Sequence, residues 1–336
     1  MATPLRWGIA GAGMISSDFC ASLKALPAGE HEVVAVAARS IDSAKKFAAR
    51  HKIKKAYGAY VELSKDPDID IVYVGVIQNF HLEVASMMMK AGKHMLCEKP
   101  LCMNVRETKE LLAVAKQSKV FMMEAVWSRF FPAYKELGRR LKAGEIGDVV
   151  SVIASFGRDL PDITRLHAKE TGGGVTLDIA LYPTQLTCLV MGGEMPEKIL
   201  ATGHLNENGV DETITASLLY SKRRVASITA SFRADLPSEA YIVGTKGTLK
   251  VPYPIWAADK VEGPSGNFCQ PLPVTGEEFV YPFGQGMMYE AMEVRRCIKE
   301  GLLESPGMTH KDTLTLATIL ESIRKQAGTV YPQDSV

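Results

Sequence analysis

Three side chains with acid–base chemistry stand out in this 336-residue sequence: a lysine, an aspartate and a tyrosine. Lys99 follows an apolar run that ends at Cys97, whereas Asp178 and Tyr182 follow three consecutive glycines. A phenol has a reference pKa of about 10 and needs a nearby cation to lose its proton at neutral pH. We therefore predict a proton relay of Lys99, Asp178 and Tyr182, with Tyr182 as general base or acid. The alternative is that Tyr182 is a half-buried packing residue and Asp178 a structural hydrogen-bond acceptor.

A glycine-rich turn, Gly11-Ala12-Gly13-Met14-Ile15-Ser16, lies between a predicted strand and a predicted helix. In dinucleotide-binding proteins the first glycine permits the tight turn, and the second lets the backbone approach a pyrophosphate at the helix N-terminus. The third position is Ser16 rather than glycine or alanine, which departs from the usual fingerprint. The pattern predicts a dinucleotide site, and the alternative is a glycine turn without a ligand.

The second predicted strand is followed by Arg39 and Ser40, where NAD enzymes place an acid on the ribose 2′-hydroxyl. A guanidinium pairs with phosphate in two places, and a hydroxyl can add a hydrogen bond. These residue types favour a 2′-phosphate and hence NADP. The alternative is a solvated arginine ahead of a helix that is capped by Ser40 or Asp42.

Other side chains near the predicted strand ends complete the candidate site. His81 is expected either to touch the nicotinamide ribose or substrate, or to be a capping or surface residue. Three aromatic residues can form an apolar substrate wall, although packing in a core or between domains explains each one singly. The predicted cofactor contacts are Gly11, Gly13, Met14, Ile15, Arg39, Ser40, His81, Glu98 and Lys99. The predicted wall consists of Trp127, Phe156 and Trp256.

Hydrophobic periodicity predicts the elements that position these residues. Up to about residue 125, short apolar runs alternate with amphipathic helices, as in a doubly wound parallel sheet of the Rossmann type. From residue 149 the runs alternate in polarity, which predicts a large, mainly antiparallel open sheet in an α+β domain, arranged as a meander. One helix is expected over 176–190, where Asp178 and Tyr182 would share a face. The predicted domains are 1–127 for the dinucleotide and 128–336 for substrate and dimerisation, and the last helix can pack on either domain.

Composition narrows the partners and the compartment. A net charge of +1 with scattered basic residues argues against nucleic acid or an anionic membrane as the main partner. No apolar stretch is long enough for a membrane span, and no signal peptide is recognisable. The six cysteines have no CxxC spacing, so we expect buried free thiols in a reducing cytosol and no metal site.

The ordered set of motifs resembles one oxidoreductase family. The Gly11–Gly13 turn, Glu98-Lys99-Pro100, the glycine triplet with Asp178 and Tyr182, and Gly244-Thr245-Lys246-Gly247 are similar to the glucose–fructose oxidoreductase, inositol dehydrogenase and rhizopine catabolism (Gfo/Idh/MocA) family. Many members carry His where this chain has Tyr182, and many have Thr-Pro-Asn where this chain has residues 76–78. The resemblance covers essentially the whole chain and is strongest to a branch of animal diol and sugar dehydrogenases.

The resemblance implies a function and an assembly. It implies oxidation of a cyclic diol or aldose by NADP, with Lys99 and Tyr182 as the catalytic pair, Asp178 in support and Arg39 on the 2′-phosphate. It also implies a cytosolic homodimer formed through the open face of the C-terminal sheet. Two rivals are a non-catalytic NADP-sensing regulator and an NAD-dependent cyclitol dehydrogenase. The presence of Lys99 and Tyr182 argues against the regulator. The presence of Arg39 in place of an acid argues against the NAD-dependent enzyme.

Overall fold

A computed structural model describes residues 3–335 of the chain, so the outermost ends of the two predicted domains lie outside the described residues. The chain divides into two compact units. The first unit contains the residues up to Cys102, then Arg106–Trp127 and Leu272–His310. The second contains Met103–Val105, Ser128–Pro271 and the residues from Lys311 onward. The sequence-based division at 127/128 assigned Leu272–His310 to the second domain, whereas these residues cluster with the first unit.

The strands and helices are numbered in chain order. The strands are β1 (Leu5–Ala10), β2 (His31–Ala37), β3 (Lys55–Tyr57), β4 (Ile71–Val74), β5 (His94–Glu98), β6 (Met122–Ala125), β7 (Val149–Gly157), β8 (Lys198–Leu205), β9 (Asp211–Tyr220), β10 (Arg224–Ser231), β11 (Ala240–Gly244), β12 (Gly247–Val251), β13 (Lys260–Val261) and β14 (Phe268–Cys269). The helices are α1 (Met14–Leu23), α2 (Ile41–His51), α3 (Tyr60–Lys65), α4 (His81–Lys90), α5 (Val105–Ser118), α6 (Pro132–Lys142), α7 (Val175–Asp178), α8 (Leu181–Val190), α9 (Met288–Lys299) and α10 (His310–Ala327).

The first unit is a six-stranded parallel sheet in the order β3-β2-β1-β4-β5-β6. Every residue of β4 is buried, as expected for a strand covered by helices on both faces. This strand order is that of the Rossmann fold, and it places the carboxyl ends of all six strands at one edge. The predicted fold class of this unit is confirmed. Sequence reasoning missed β3 and α3, which are too short to show a hydrophobic period.

The second unit contains a six-stranded sheet in the order β12-β11-β7-β10-β9-β8. Its pairs are antiparallel except that β7 and β10 run parallel in register from Val225↔Ser151 to Ser231↔Gly157. The predicted large, mainly antiparallel sheet is confirmed. The predicted meander is wrong, because the long connection after β7, which contains α7 and α8, returns the chain so that β10 rather than β8 pairs with β7.

One face of this sheet is covered and the other is open. Along β9 the side chains alternate between buried and exposed, and α7 and α8 pack against the buried face. The uncovered face carries serine and threonine with three large exposed apolar residues. These three residues are Ile153, Leu200 and Leu219.

All six cysteines are unpaired, and five of them are buried as predicted. Cys269 in β14 is the exception, since its side chain is exposed. Within residues 3–335, no helix is long and apolar enough to cross a membrane.

Candidate active site

The glycine turn of the first unit leaves backbone donors at the N-terminus of α1. Gly11 has φ +104°, and a Cβ there would lie 2.9 Å from the carbonyl oxygen of Gly75. Gly13 is the N-cap residue of α1 and offers no side-chain cap. The first helical hydrogen bond runs from the amide of Ser17 to the Gly13 carbonyl at 3.1 Å. The preceding amides therefore have no acceptor within the helix, and the turn fits an anion such as a pyrophosphate.

Ser16 fills the third position of the glycine motif without disturbing the fold. Its side chain is completely buried. A Cβ on Gly75, which follows β4, would clash with the Ser16 hydroxyl oxygen. The close approach of helix and strand that a third glycine normally permits is therefore provided here by Gly75.

Arg39 and Ser40 lie exposed between β2 and α2. Ser40 is the N-cap residue of α2, but its side chain makes no capping hydrogen bond. Among the described residues, Arg39 forms no ion pair. Burial raises the pKa of the Tyr60 phenol, and the positive charge of Arg39 opposes this rise. A cation and a hydroxyl at this position suit a phosphate group.

Glu98 ends β5 and Lys99 follows it, at the same sheet edge as the glycine turn. The Glu98 carboxylate accepts a hydrogen bond from the Tyr73 hydroxyl at 2.5 Å and one from the Lys99 backbone amide at 3.2 Å. The Tyr73 ring stacks on Phe19 of α1 with a centroid distance of 4.0 Å. Glu98 thus fixes the backbone that carries the Lys99 side chain. The peptide bond between Lys99 and Pro100 is cis.

His81 is almost completely buried at the start of α4. Its Nδ1 lies 3.0 Å from the Pro100 carbonyl oxygen, and its Nε2 lies 2.9 Å from the Val76 carbonyl oxygen. Burial lowers the pKa of the imidazole. These contacts join the loops that follow β4 and β5. They suit a residue that positions the Lys99 loop, and direct contact with a cofactor stays a prediction.

Within the second unit, Tyr182 belongs to an aromatic cluster. We define the aromatic cluster as Phe156, Tyr182, Tyr253 and Trp256. The Tyr182 ring lies 5.6 Å from that of Phe156, which stacks on Trp256 at 4.4 Å. Tyr253 meets Trp256 edge to face at 5.3 Å. Sequence reasoning predicted Phe156 and Trp256 and missed Tyr253, although it precedes Trp256 by three residues. Trp127, the third predicted wall residue, is half-buried in the first unit.

Arg158 adds a polar group to the edge of the aromatic cluster. Its guanidinium lies over the Trp256 ring at 5.8 Å and donates a hydrogen bond to the Tyr253 hydroxyl at 3.3 Å. Sequence reasoning missed this residue. The signal was its position two residues after Phe156, since alternate residues of an extended chain point to the same face.

Asp178 does not share a continuous helix with Tyr182, so the prediction of one helix over 176–190 is wrong. The helix α7 ends at Asp178, and α8 begins at Leu181. Pro183 has no amide hydrogen and is tolerated only in the first turn of a helix, which forces α8 to begin shortly before it. The Asp178 carboxylate pairs with the Arg165 guanidinium at 3.6 Å.

Comparison with known proteins places this chain in a family. The model of the oxidoreductase family with an NAD-binding Rossmann fold, GFO_IDH_MocA, matches residues 5–126. The GFO/IDH/MocA C-terminal domain matches residues 134–250. This chain belongs to the Gfo/Idh/MocA oxidoreductase family.

Relatives within the Gfo/Idh/MocA family match nearly the whole chain. The chain is similar to the trans-1,2-dihydrobenzene-1,2-diol dehydrogenases of Danio rerio, at 47% identity over 98% of this chain and 99% of the relative, and of Homo sapiens, at 42% identity over the same shares. These are the animal diol dehydrogenases to which the sequence motifs pointed. The chain is therefore an NAD(P)-dependent dehydrogenase that acts on CH–OH groups.

Solved structures of the family share the fold. A 3-ketoreductase from Actinomadura kijaniata in complex with NADP and TDP-benzene matches with a TM-score of 0.80 at 26% identity, over 98% of this chain and 99% of that one. A levoglucosan dehydrogenase in complex with NADH and levoglucosan matches with a TM-score of 0.82 at 21% identity, over 97% of each chain. Proteins of this fold thus occur with either nicotinamide cofactor.

Proposed function

We propose that this protein is an NADP-dependent dehydrogenase that oxidises trans-dihydrodiols of aromatic hydrocarbons and D-xylose-type aldoses. The observation that carries the proposal is the aromatic cluster that contains Tyr182, in which the stacked rings of Phe156 and Trp256 form an apolar wall beside the phenol. A cyclic diol can stack on such a wall while its hydroxyls reach polar groups. The names of the diol dehydrogenase relatives support the same substrate class.

In the proposed reaction, Tyr182 accepts the proton of the substrate hydroxyl. Lys99 supplies the positive charge that favours an ionised phenol, and Asp178 supports the relay. The wall formed by Phe156 and Trp256 orients the substrate and excludes water. NADP, when bound, would supply the acceptor for the hydride that leaves the carbon bearing that hydroxyl.

Substitution of the proposed catalytic pair tests the mechanism. Lys99→Met and Tyr182→Phe are each expected to lower kcat at least about 100-fold, because the first removes the charge that favours an ionised phenol and the second removes the proton acceptor. NADP binding, measured by tryptophan fluorescence, should stay largely intact. Lys246→Met changes an exposed lysine and serves as the control. Normal turnover in either variant would remove that residue from the mechanism, and a wild-type chain that binds NADP without turnover would favour a regulator.

The choice of NADP over NAD is assigned to Arg39, supported by Ser40. Arg39→Asp removes the cation and adds a charge that repels a 2′-phosphate. We expect KM for NADP to rise at least about 10-fold, since a charge-assisted bond of this kind contributes roughly 1.5–3 kcal/mol. KM for NAD should change little. Equal effects on both cofactors would mean that the 2′-phosphate is recognised elsewhere.

We also propose a cytosolic homodimer formed through the uncovered sheet face of the second unit. The unpaired cysteines support a reducing compartment. The exposed Ile153, Leu200 and Leu219 give that face an apolar character that suits a second copy. Ile153→Asp is expected to convert a dimer to a monomer in light scattering, whereas Val274→Asp, at a fully exposed site in the first unit, should not. A monomeric wild-type chain would overturn this assembly.

A further inference from the structure

We infer that the C-terminal segment of the second unit, residues 329–334, positions Tyr182. It does so through a buried network that holds the glycine triplet, residues 172–174. The network consists of Tyr331 and Thr329 from this segment, Asp211 at the start of β9, and Thr176 in α7. The inference rests on the proposed function, because it assigns these residues a role in placing the proposed catalytic phenol. None of them contacts the reacting atoms in this proposal, so they are positioning residues.

Tyr331 and Asp211 enclose the glycine triplet. The Tyr331 side chain is buried, and its hydroxyl donates a hydrogen bond to the Gly173 carbonyl. Gly174 has φ +131°, and a Cβ there would lie 2.7 Å from Asp211 Oδ1 and 2.8 Å from the Tyr331 hydroxyl oxygen. The two side chains therefore approach the turn as closely as glycine allows, which explains why the chain has glycine at 174.

The Asp211 carboxylate caps α7 and binds the C-terminal segment. It is completely buried. Its Oδ2 accepts hydrogen bonds from the Thr176 amide at 2.7 Å and the Thr176 hydroxyl at 2.5 Å. Its Oδ1 accepts one from the Thr329 hydroxyl at 2.8 Å. One carboxylate thus joins residues far apart in sequence, and a carboxylate at a helix N-terminus is electrostatically favourable.

A buried ion pair between Arg324 and Asp334 fixes the Tyr331 ring. Arg324 of α10 is completely buried and makes two hydrogen bonds to the Asp334 carboxylate, at 2.7 and 2.6 Å. The Tyr331 amide donates to Asp334 at 2.9 Å, and the Arg324 guanidinium lies over the Tyr331 ring at 4.9 Å. Two-pronged pairs of this kind restrict orientation as well as adding stability.

Backbone hydrogen bonds connect the glycine triplet to Tyr182. The Asp178 amide donates to the Gly174 carbonyl at 3.3 Å, and the Ala180 amide donates to the Val175 carbonyl at 2.9 Å. The Tyr182 amide then donates to Ile179 at 3.1 Å. A shift of the triplet would pass along this continuous backbone to the phenol. The negative charge of Asp178 also reaches Tyr331, where burial is the main cause of a pKa well above 10, so the Tyr331 hydroxyl remains a donor at neutral pH.

Tyr331→Phe in the full-length chain tests the inference. It leaves the buried Gly173 carbonyl without its side-chain donor. Amide hydrogen exchange across residues 172–178 is expected to accelerate about 10-fold, and kcat to fall about 10-fold, because a misplacement of about 1 Å can cost up to about 100-fold. KM for NADP should stay within about 2-fold, because the cofactor residues belong to the first unit. A purely structural defect would instead lower the amount of active enzyme and leave the exchange of folded molecules unchanged.

Tyr220→Phe is the matched control. Tyr220 is also a buried tyrosine of the second unit, but its hydroxyl has no hydrogen-bond partner among the described residues. Its removal should change neither exchange nor kcat. If Tyr331→Phe behaves like this control, the inference is overturned.

A second variant, Thr329→Val, keeps the inference testable if Tyr331→Phe does not fold. It preserves shape and removes two hydrogen bonds with Asp211, one to the Asp211 carboxylate and one from the Asp211 amide. It should accelerate exchange at Thr176 and lower kcat. Unchanged exchange and kcat in this variant would contradict the inference. A wild-type chain without dehydrogenase activity would instead defeat the proposed function, and the exchange experiment would still decide whether the C-terminal segment holds the triplet.

Discussion

The first unit contains a histidine whose protonation should destabilise the fold. The Trp7 indole donates a hydrogen bond to His31 Nδ1 at 3.0 Å, so the imidazole must be neutral to accept it. Burial and the positive charges of Arg295 and Lys299 lower the His31 pKa from 6.5 to about 4. The unfolded chain takes up this proton below about pH 6.5, whereas the folded chain does so only near pH 4. The free energy of unfolding should therefore fall as the pH is lowered across that window.

The size of the effect follows from the pKa difference. Each pKa unit corresponds to about 1.4 kcal/mol, so a fall from 6.5 to about 4 corresponds to about 3 kcal/mol. Because the His31 residue is only half-buried, solvent screening reduces the expected loss to roughly 2 kcal/mol. His51, whose pKa is also lowered to about 4 by burial, adds to the total acid sensitivity of the wild-type chain.

Urea unfolding followed by tryptophan fluorescence measures the contribution of His31. His31→Gln keeps an acceptor for the Trp7 indole and removes the titrating group. Between about pH 7.5 and about pH 4.5, this variant should lose roughly 2 kcal/mol less stability than the wild-type chain. His204→Gln, at an exposed position of β8, should lose as much as the wild type. If His31→Gln is as acid-sensitive as the wild type, the reasoning from burial and charge is refuted.

Two further substitutions in the first unit have expected outcomes. Asp18 accepts hydrogen bonds from the amides of Val280 and Tyr281, both at 2.8 Å. Asp18→Asn offers only one oxygen, so hydrogen exchange of at least one of these amides should accelerate about 10-fold. Unchanged exchange would show that Asp18 does not anchor the segment that contains Val280 and Tyr281. Glu290 is completely buried, and burial together with the charge of Glu98 raises its pKa well above 4.5. A carboxyl group with such a raised pKa destabilises the folded state as the pH rises above the pKa that it has in the unfolded chain. Glu290→Gln should therefore raise the thermal unfolding midpoint at about pH 8. A lowered midpoint would indicate an ionised carboxylate in the fold.

Local patterns were sufficient to predict the parallel sheet of the first unit apart from its edge strand β3. Buried parallel strands appear as short apolar runs, and the turn at Gly11 and Gly13 marks where the first helix must begin. The position of Lys99 at a sheet edge followed from the same pattern, since ligand-facing residues of parallel sheets follow strand ends. The roles of these residues in catalysis and cofactor binding stay predictions, which the variants described above would test.

Long-range pairings were not predictable from the sequence. The parallel pairing of β7 with β10 depends on where a long connection returns the chain, and local alternation carries no information about it. Tyr331 reaches Gly173 across 158 positions of sequence. The break between α7 and α8 was in principle visible, because Pro183 constrains where a helix can begin. The hydrophobic period outweighed that signal in the prediction.

The distribution of the thiols has a practical consequence. Cys269 is exposed, whereas the other five cysteines are buried, and burial raises the pKa of Cys188 to about 12. A maleimide dye added to the native chain should label one site rapidly, because the thiolate is the reactive form. Slow alkylation of the remaining five would then report opening of the interior. The rate of that alkylation therefore measures how often the fold opens far enough to expose a buried thiol.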